Sequence, residues 1–230
     1  MYLGFDSWNA ATCSAVRIFD PFSYRPTLFE RMVPIALSEA LPLAERYPVL
    51  WQRNVNGDPE LVVLRGLDPK SEVPGARSQI RVALPLLLQA FPFRFRDTAH
   101  ALEIGIDQAA PMREGDIGSY IQDAQGDLLP GAEMKLSALD AFRSDADTRL
   151  RLTDAVFRHG LVEPVVLPDE IVKKYDLPDF FVVLPFPDDR LIFEQIPQEN
   201  WLLAARFLVA QRISLFTMSR LIAAAQGPAT

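Results

Sequence analysis

The sequence has few of the residues that hold metals or carry out nucleophilic catalysis. It contains a single cysteine, Cys13, and only two histidines, His100 and His159. One cysteine can form neither an intramolecular disulfide nor a cysteine-ligated zinc site. An iron site with two histidines and one carboxylate would use both histidines, and neither stands in an H-x-D or H-x-E pattern. We therefore predict no metal site and no cofactor, and we interpret Cys13 as a small buried apolar residue.

The motifs of phosphate binding and of common hydrolases are also missing. The chain contains no G-x-G-x-x-G, no G-x-x-x-x-G-K-[ST], no G-x-S-x-G and no H-E-x-x-H. It has no dense run of Lys or Arg either, because its 23 basic residues are spread among 30 acidic ones, for a formal charge of −7. Since nucleic-acid-binding surfaces are usually strongly basic, we predict that the protein does not bind nucleic acid.

No part of the sequence has the pattern of a signal peptide or a membrane span. Residues 1–8 lack a basic segment followed by a continuous apolar one. The most apolar stretch, residues 201–225, is interrupted by Arg206, Arg212 and Arg220. A transmembrane helix needs about 20 nearly uncharged residues. We therefore expect a cytoplasmic protein without a membrane span.

The composition is that of a globular protein. Of its 230 residues, 49% are hydrophobic and 10% are aromatic, which is enough to build a core without disulfides or metals. No internal repeat appears, and no linker rich in glycine or serine divides the chain. We predict an irregular N-terminal arm over residues 1–31, followed by one α+β domain over residues 32–230.

Two hairpins and two long helices make up the predicted domain. The apolar runs 48–52 and 61–65 flank a turn sequence, which predicts a β-hairpin, and a second hairpin-like region covers residues 163–184. Apolar residues at spacings of three and four predict one helix over about 134–159 and another over about 198–225. We predict that the antiparallel hairpins pack on these two helices.

The final predicted helix is the most apolar element. Its polar residues Glu199, Arg206, Thr217 and Arg220 fall near one line of a helical wheel. A helix with such a narrow polar stripe is buried on most sides. Either the rest of the chain surrounds it or a partner covers the remainder, and we favour the first interpretation because a large domain needs a central element.

Carboxylates cluster in one acidic stretch, formed by Asp107, Glu114, Asp116, Asp123 and Asp127. Such oxygens suit calcium, but their spacing does not fit an EF-hand loop. Paired carboxylates can also serve in acid–base catalysis. A polar loop facing solvent explains the same residues equally well, so the stretch stays unassigned.

Aromatic residues stand beside prolines at several predicted element boundaries, as in the sequences 47–48, 91–93 and 185–187. Rigid apolar groups at such places form either corners of the core or a surface groove for a partner. For the second case we predict a partner-binding site that includes Trp51, Phe91, Phe93 and Phe186. The sequence alone does not separate the two interpretations.

The order of several short motifs resembles that of the SapC family. Residues 103–107 are similar to the family's "CID" strand, with Gly105 in place of its cysteine, and the tryptophan usual before the "VPA" element is missing near Ser78. The resemblance covers roughly residues 32–224. It is carried by residues 33–35, 47–50, 62–67, 82–93 ("VPA" to "RRYPF"), 161–164 ("LLEP") and 181–183 ("FYVV").

This resemblance implies little chemistry. The family takes its name from a bacterial surface-layer locus, and its biochemical activity is not established. Its members are often encoded beside flavoproteins that resemble tryptophan halogenases, beside cupin-like oxygenases and beside TonB-dependent receptors. The resemblance therefore implies an accessory protein in modification or uptake, by association alone.

Three functions follow as hypotheses. The first is a non-catalytic accessory protein that binds a peptide or protein partner, such as a flavoprotein halogenase-like or cupin-like modifying enzyme. The second is an enzyme of unfamiliar type that uses the acidic loop around Asp107 and Asp116. The third, a surface-layer component, is disfavoured because no export signal is visible.

Overall fold

The computed structural model describes residues 6–7, 9–74, 84–97, 102–112, 115–185 and 187–226. The predicted α+β class is confirmed, since antiparallel sheets pack on long helices. The strands are β1 (Asp6–Ser7), β2 (Arg17–Ile18), β3 (Met32–Pro34), β4 (Val49–Arg53), β5 (Pro59–Leu64), β6 (Phe93–Asp97), β7 (Leu102–Ile106), β8 (Ser119–Tyr120), β9 (Val162–Pro164) and β10 (Phe180–Val183). The α-helices are α1 (Ala10–Ala15), α2 (Arg25–Phe29), α3 (Ala40–Ala44), α4 (Leu86–Ala90), α5 (Pro130–Ser144), α6 (Ala146–Arg158), α7 (Asp169–Tyr175), α8 (Asp189–Phe193) and α9 (Trp201–Gln226).

The largest sheet has five antiparallel strands in the order β3-β5-β4-β10-β9. The predicted hairpin forms its centre, where Trp51 of β4 stands opposite Leu61 of β5. Its turn is closed by Asn54, whose side-chain oxygen accepts hydrogen bonds from the N–H groups of Asn56 and Asp58, and by Gly57 with a φ of +85°. A positive φ favours glycine, so the turn chemistry sets the register of the hairpin.

Residues of the predicted N-terminal arm pair with later parts of the chain. β1 is an edge strand on β7, which pairs with β6, and β2 pairs with β8. Cys13 is fully buried in a second apolar cluster with Ile18, Phe93 and Leu139. The interpretation of Cys13 as a buried apolar residue is therefore confirmed.

The helix predicted over 134–159 is two helices, α5 and α6, separated at Asp145. There the backbone leaves helical geometry, with φ −109° and ψ 14°. The Asp145 carboxylate accepts a hydrogen bond from the Ser38 N–H at 3.0 Å and pairs with Arg149 at 2.8 Å. The interruption depends on this tertiary contact, which the apolar spacing does not reveal because it continues across the break.

The second long helix forms as predicted. A 3₁₀ turn over Gln198–Asn200 leads directly into α9, which packs against α3, β4 and β10. Phe207 of α9 lies edge-to-face on Trp51, with ring centroids 5.4 Å apart. One side of α9 therefore closes the main core over the five-stranded sheet.

Candidate functional site

Three of the four residues of the predicted aromatic site do not lie at the surface. Trp51, Phe91 and Phe93 are buried, while Phe186 lies outside the described residues. The Trp51 indole N–H donates to the Thr153 hydroxyl at 3.1 Å, and the Phe91 ring packs edge-to-face on Tyr24 at 4.8 Å. In the structure these three aromatics are corners of the core, which is the alternative that the sequence left open.

The described residues of the acidic stretch have separate structural roles. Asp107 is buried and pairs with Arg94 at 3.7 Å. The Asp123 carboxylate accepts hydrogen bonds from the N–H groups of Gln125 and Asp127, as is typical of a tight turn. Asp116 is half-buried, and Glu114 lies outside the described residues. Across the described ranges, no group of three or more His, Cys, Asp or Glu side chains is placed to hold a metal ion.

One of the two histidines lies within the part of the chain that the structure describes. His159 is exposed and follows the last turn of α6, whereas His100 lies outside the described residues. The predictions that the chain uses no cofactor and no metal stay predictions.

Two buried ionisable groups serve as bridges between backbone segments. The Glu39 carboxylate accepts hydrogen bonds from the Ala36 N–H at 2.8 Å and the Leu86 N–H at 2.6 Å, and burial raises its pKa to about 7. The Lys135 ammonium donates to the Phe91 carbonyl at 2.6 Å, and burial lowers its pKa to about 8. Both groups are engaged by the backbone, so their pKa shifts have a structural cause.

The inner face of α9, which lies against the sheet, carries polar residues that bond to two strands, while the Gln211 side-chain nitrogen is buried without a hydrogen-bond partner among the described residues. The Ser214 hydroxyl accepts a hydrogen bond from the Val49 N–H at 2.8 Å, and the Gln211 side-chain oxygen accepts one from the Val183 N–H at 3.0 Å. Thr217 donates to the Ser214 carbonyl at 2.6 Å and is buried. Thr217, which shares the wheel line of Glu199 and Arg206, therefore lies on the buried edge of that line.

The opposite side of α9 is apolar and exposed. Leu202, Val209, Ile213 and Phe216 keep 63%, 57%, 50% and 80% of their surface accessible. Together with Glu199, Arg206 and Arg220 they recur at spacings of three and four, which places them on one side of the helix. We call this side the outer face; it consists of Glu199, Leu202, Arg206, Val209, Ile213, Phe216 and Arg220. The interpretation that the rest of the chain surrounds this helix is wrong for the outer face.

The charges along the outer face are unevenly placed. The helix α9 contains three arginines and no acidic residue. Arg212, at the border, is engaged by the Glu163 carboxylate at 2.9 Å and the Val183 carbonyl at 2.8 Å. Arg206, Arg220 and Glu199 form no ion pair with any described residue. The outer face therefore presents an acid at one end and a base at the other.

A cavity of about 490 Å³ opens beside the first turn of α9. Its walls include Trp201, whose indole N–H donates to the carbonyls of Phe193 and Ile196 at 3.1 and 3.0 Å. These two bonds and the edge-to-face contact with Phe193 hold the indole in place. Leu202 lines both the cavity and the outer face, so the two surfaces are continuous.

One helical stretch, Gln198–Ala225, is long and apolar enough to cross a membrane by length and composition. Its most apolar window is 44% buried inside the fold, and its inner face holds hydrogen bonds to two strands of the main sheet. A core helix of a globular protein passes the same test of length and composition.

Sequence reasoning missed the apolar residues of the outer face. The sequence places Glu199, Arg206, Thr217 and Arg220 near one line of the wheel, and Leu202, Val209, Ile213 and Phe216 lie on the same side of the helix as the two arginines. The spacing of three and four around the two arginines is the signal that would have found them.

A comparison with protein-family models gives one match, to SapC, over residues 15–185. No curated protein and no solved structure matches the chain. The match begins inside the predicted N-terminal arm and ends before α9, so the outer face lies beyond the matched residues. Since the match covers well over half of the 230 residues, the chain belongs to the SapC family.

Proposed function

We propose that this SapC-family chain is an accessory protein that binds an α-helix of a protein partner along the outer face of α9. The observation that carries the proposal is the row of four large apolar side chains, each at least half exposed, on a helix whose other side is anchored in the core. Contiguous exposed apolar patches on soluble proteins mark contact sites more often than scattered single residues do.

Because α9 is anchored in the core, the outer face is a preformed binding surface. The inner face is fixed by the hydrogen bonds of Ser214 and Gln211 and by the packing of Phe207 on Trp51. The exposed side chains therefore stand on a rigid element before any partner arrives. Binding to such a surface avoids the cost of ordering the backbone, which strengthens association for a given contact area.

The chemistry of the outer face specifies the helix that fits it. Apolar residues at spacings of three and four would pack against Leu202, Val209, Ile213 and Phe216, as in other helix–helix contacts. Acidic residues beside that apolar row would meet Arg206 and Arg220, for which the described residues offer no carboxylate. We therefore expect an amphipathic helix with an acidic residue where it passes Arg206 or Arg220.

A protein helix fits this surface better than a lipid bilayer does. Arg206 stands between Leu202 and Val209 along the outer face, and Arg220 follows Phe216 by four residues. Insertion into a bilayer deep enough to bury the apolar row would draw both guanidinium groups toward the acyl chains, which is costly.

A designed peptide tests the proposal directly. The probe is a tryptophan-free helical peptide with leucine at spacings of three and four and glutamate borders, titrated into the full chain at about 0.5 µM. Emission of Trp201, which adjoins the outer face, reports binding, and Trp201→Phe assigns the signal. We expect Phe216→Ser to weaken binding at least about tenfold.

The matched control is Leu150→Ser, which removes a side chain of comparable exposure from α6 and should leave binding unchanged. Equal affinity of Phe216→Ser and the unmodified chain would overturn the proposal. So would binding to vesicles of anionic lipid in place of the peptide, because that result would assign the outer face to a membrane.

A further inference from the structure

We infer that the helix that occupies the outer face is α9 of a second copy of this chain, paired antiparallel about a two-fold axis. This inference rests on the proposed function, which makes the outer face a binding surface for a helix, and it names the partner. The reason is that the outer face is complementary to itself in one orientation only.

The positions along the outer face are arranged symmetrically about Gln211. Val209 and Ile213, Arg206 and Phe216, and Leu202 and Arg220 form three pairs, and both members of each pair lie equally far from that residue. An antiparallel pair whose two-fold axis crosses the outer face at the level of Gln211 along the helix therefore brings these pairs together across the contact. Val209 meets Ile213 at the centre, and Arg206 meets the ring of Phe216, an arrangement that favours a cation–π contact.

The charged ends of the outer face complete the match. Glu199 stands one helical step before Leu202 on the same line, so it comes next to Arg220 of the second copy. The two-fold axis forms this ion pair twice. In a parallel pair Glu199 would face Glu199, and each arginine would face itself. Charge pairing of this kind selects the orientation of paired helices.

The size of the contact predicts reversible association. A helix of 26 residues is about 39 Å long at the usual rise per residue. One helix pair of this length buries less surface than the roughly 800 Å² per partner of a standard stable interface. We therefore expect a dimer with a dissociation constant in the micromolar range, which a helical peptide directed at the outer face dissociates.

Charge reversal at Glu199 and Arg220 tests the pairing. We expect sedimentation velocity of the full chain between about 1 and 200 µM to show a monomer–dimer equilibrium. Glu199→Arg and Arg220→Glu should each raise the dissociation constant about tenfold. An equimolar mixture of the two variants should restore it, because each variant then faces an opposite charge twice, and the double variant should restore it as well.

The two proposals fail separately. If the unmodified chain stays monomeric at about 200 µM and still binds the designed peptide, the inference is wrong and the proposed function stands. If the chain dimerises but the charge-reversed mixture does not recover, the antiparallel pairing is wrong. If neither the peptide nor a second copy binds, both proposals are wrong.

Discussion

The two faces of α9 carry polar and apolar residues in the reverse of the usual arrangement, because polar residues face the core and large apolar residues face solvent. On the inner face, Gln211, Ser214 and Thr217 are buried. The Gln211 side-chain oxygen and the Ser214 hydroxyl bond to strands of the sheet, the Thr217 hydroxyl bonds within the helix, and the Gln211 side-chain nitrogen has no partner among the described residues. On the outer face, Val209 and Phe216 point into solvent. The comparison teaches that the burial of a helix face is decided by what the neighbouring strands offer, since buried polar groups are tolerated where each finds its partner.

The same comparison explains what each face contributes. The inner face bonds to backbone groups of β4 and β10 and places Phe207 against Trp51, so it stabilises the fold. The outer face has no comparable contacts among the described residues, so its side chains contribute little to the free energy of unfolding. We therefore expect substitutions on the inner face to change stability and those on the outer face to change binding.

Two phenylalanines of α9 give the largest expected difference. Phe207 is 1% exposed, and its replacement by alanine should lower the free energy of unfolding by about 3–5 kcal/mol because a cavity is left in the core. Phe216→Ala deletes the same atoms from a side chain that is exposed to solvent, and it should change the free energy of unfolding by less than about 0.5 kcal/mol. Urea unfolding followed by circular dichroism measures both. Equal losses for the two variants would remove the distinction between the faces.

The buried acid beside the inner face gives the next largest effect. Glu39, in a 3₁₀ turn against which α9 packs, has its pKa raised by burial from an ordinary 4.5 to about 7. Between these values the folded chain retains a proton that the unfolded chain releases, so stability falls as the pH rises through this window. The expected loss from pH 5 to pH 7 is on the order of 1–3 kcal/mol.

The measurement is urea unfolding at both pH values for the unmodified chain and for Glu39→Gln. The substitution should flatten the part of the pH dependence that Glu39 contributes. Burial also raises the pKa of Asp145, whose contribution has the same sign and persists in the variant. Lys135, with its pKa lowered to about 8, stays protonated throughout this window. Parallel pH profiles for the two chains would show that Glu39 is ionised inside the fold.

Two serines of α9 give the smallest expected difference. Ser214→Ala leaves the buried Val49 N–H without its acceptor and should cost about 1–3 kcal/mol of unfolding free energy. Ser219→Ala changes an exposed serine on the same helix and should stay within about 0.5 kcal/mol. Differential scanning calorimetry resolves the two. Because helix propensity alone favours alanine over serine, a loss at Ser219 as large as that at Ser214 would show that the bond to Val49 does not determine the effect.

Local patterns predicted the elements that depend on local physics. The hairpin around Asn54 and Gly57 follows from its turn residues, and the last helix follows from its apolar content. The order of short motifs likewise identified the SapC family. For the hairpin and the helix, neighbouring residues carry the whole signal.

The remaining features depend on contacts between distant parts of the chain. The break at Asp145 comes from its bond to the Ser38 N–H, and the burial of Trp51 comes from packing against α6 and α9. The sidedness of α9 depends on where the N–H groups of Val49 and Val183 stand in the folded sheet. Periodicity alone does not reveal such positions, so the outer face emerged only from the structure.

The claim that binding belongs to one face of α9 and stability to the other is tested most directly by one paired measurement on Phe216→Ser. Affinity for the glutamate-bordered helical peptide and the free energy of unfolding are measured on the same preparation. We predict at least about tenfold weaker binding with unfolding free energy unchanged within about 0.5 kcal/mol. Unchanged affinity, or a loss of stability as large as that of Phe207→Ala, would contradict the account.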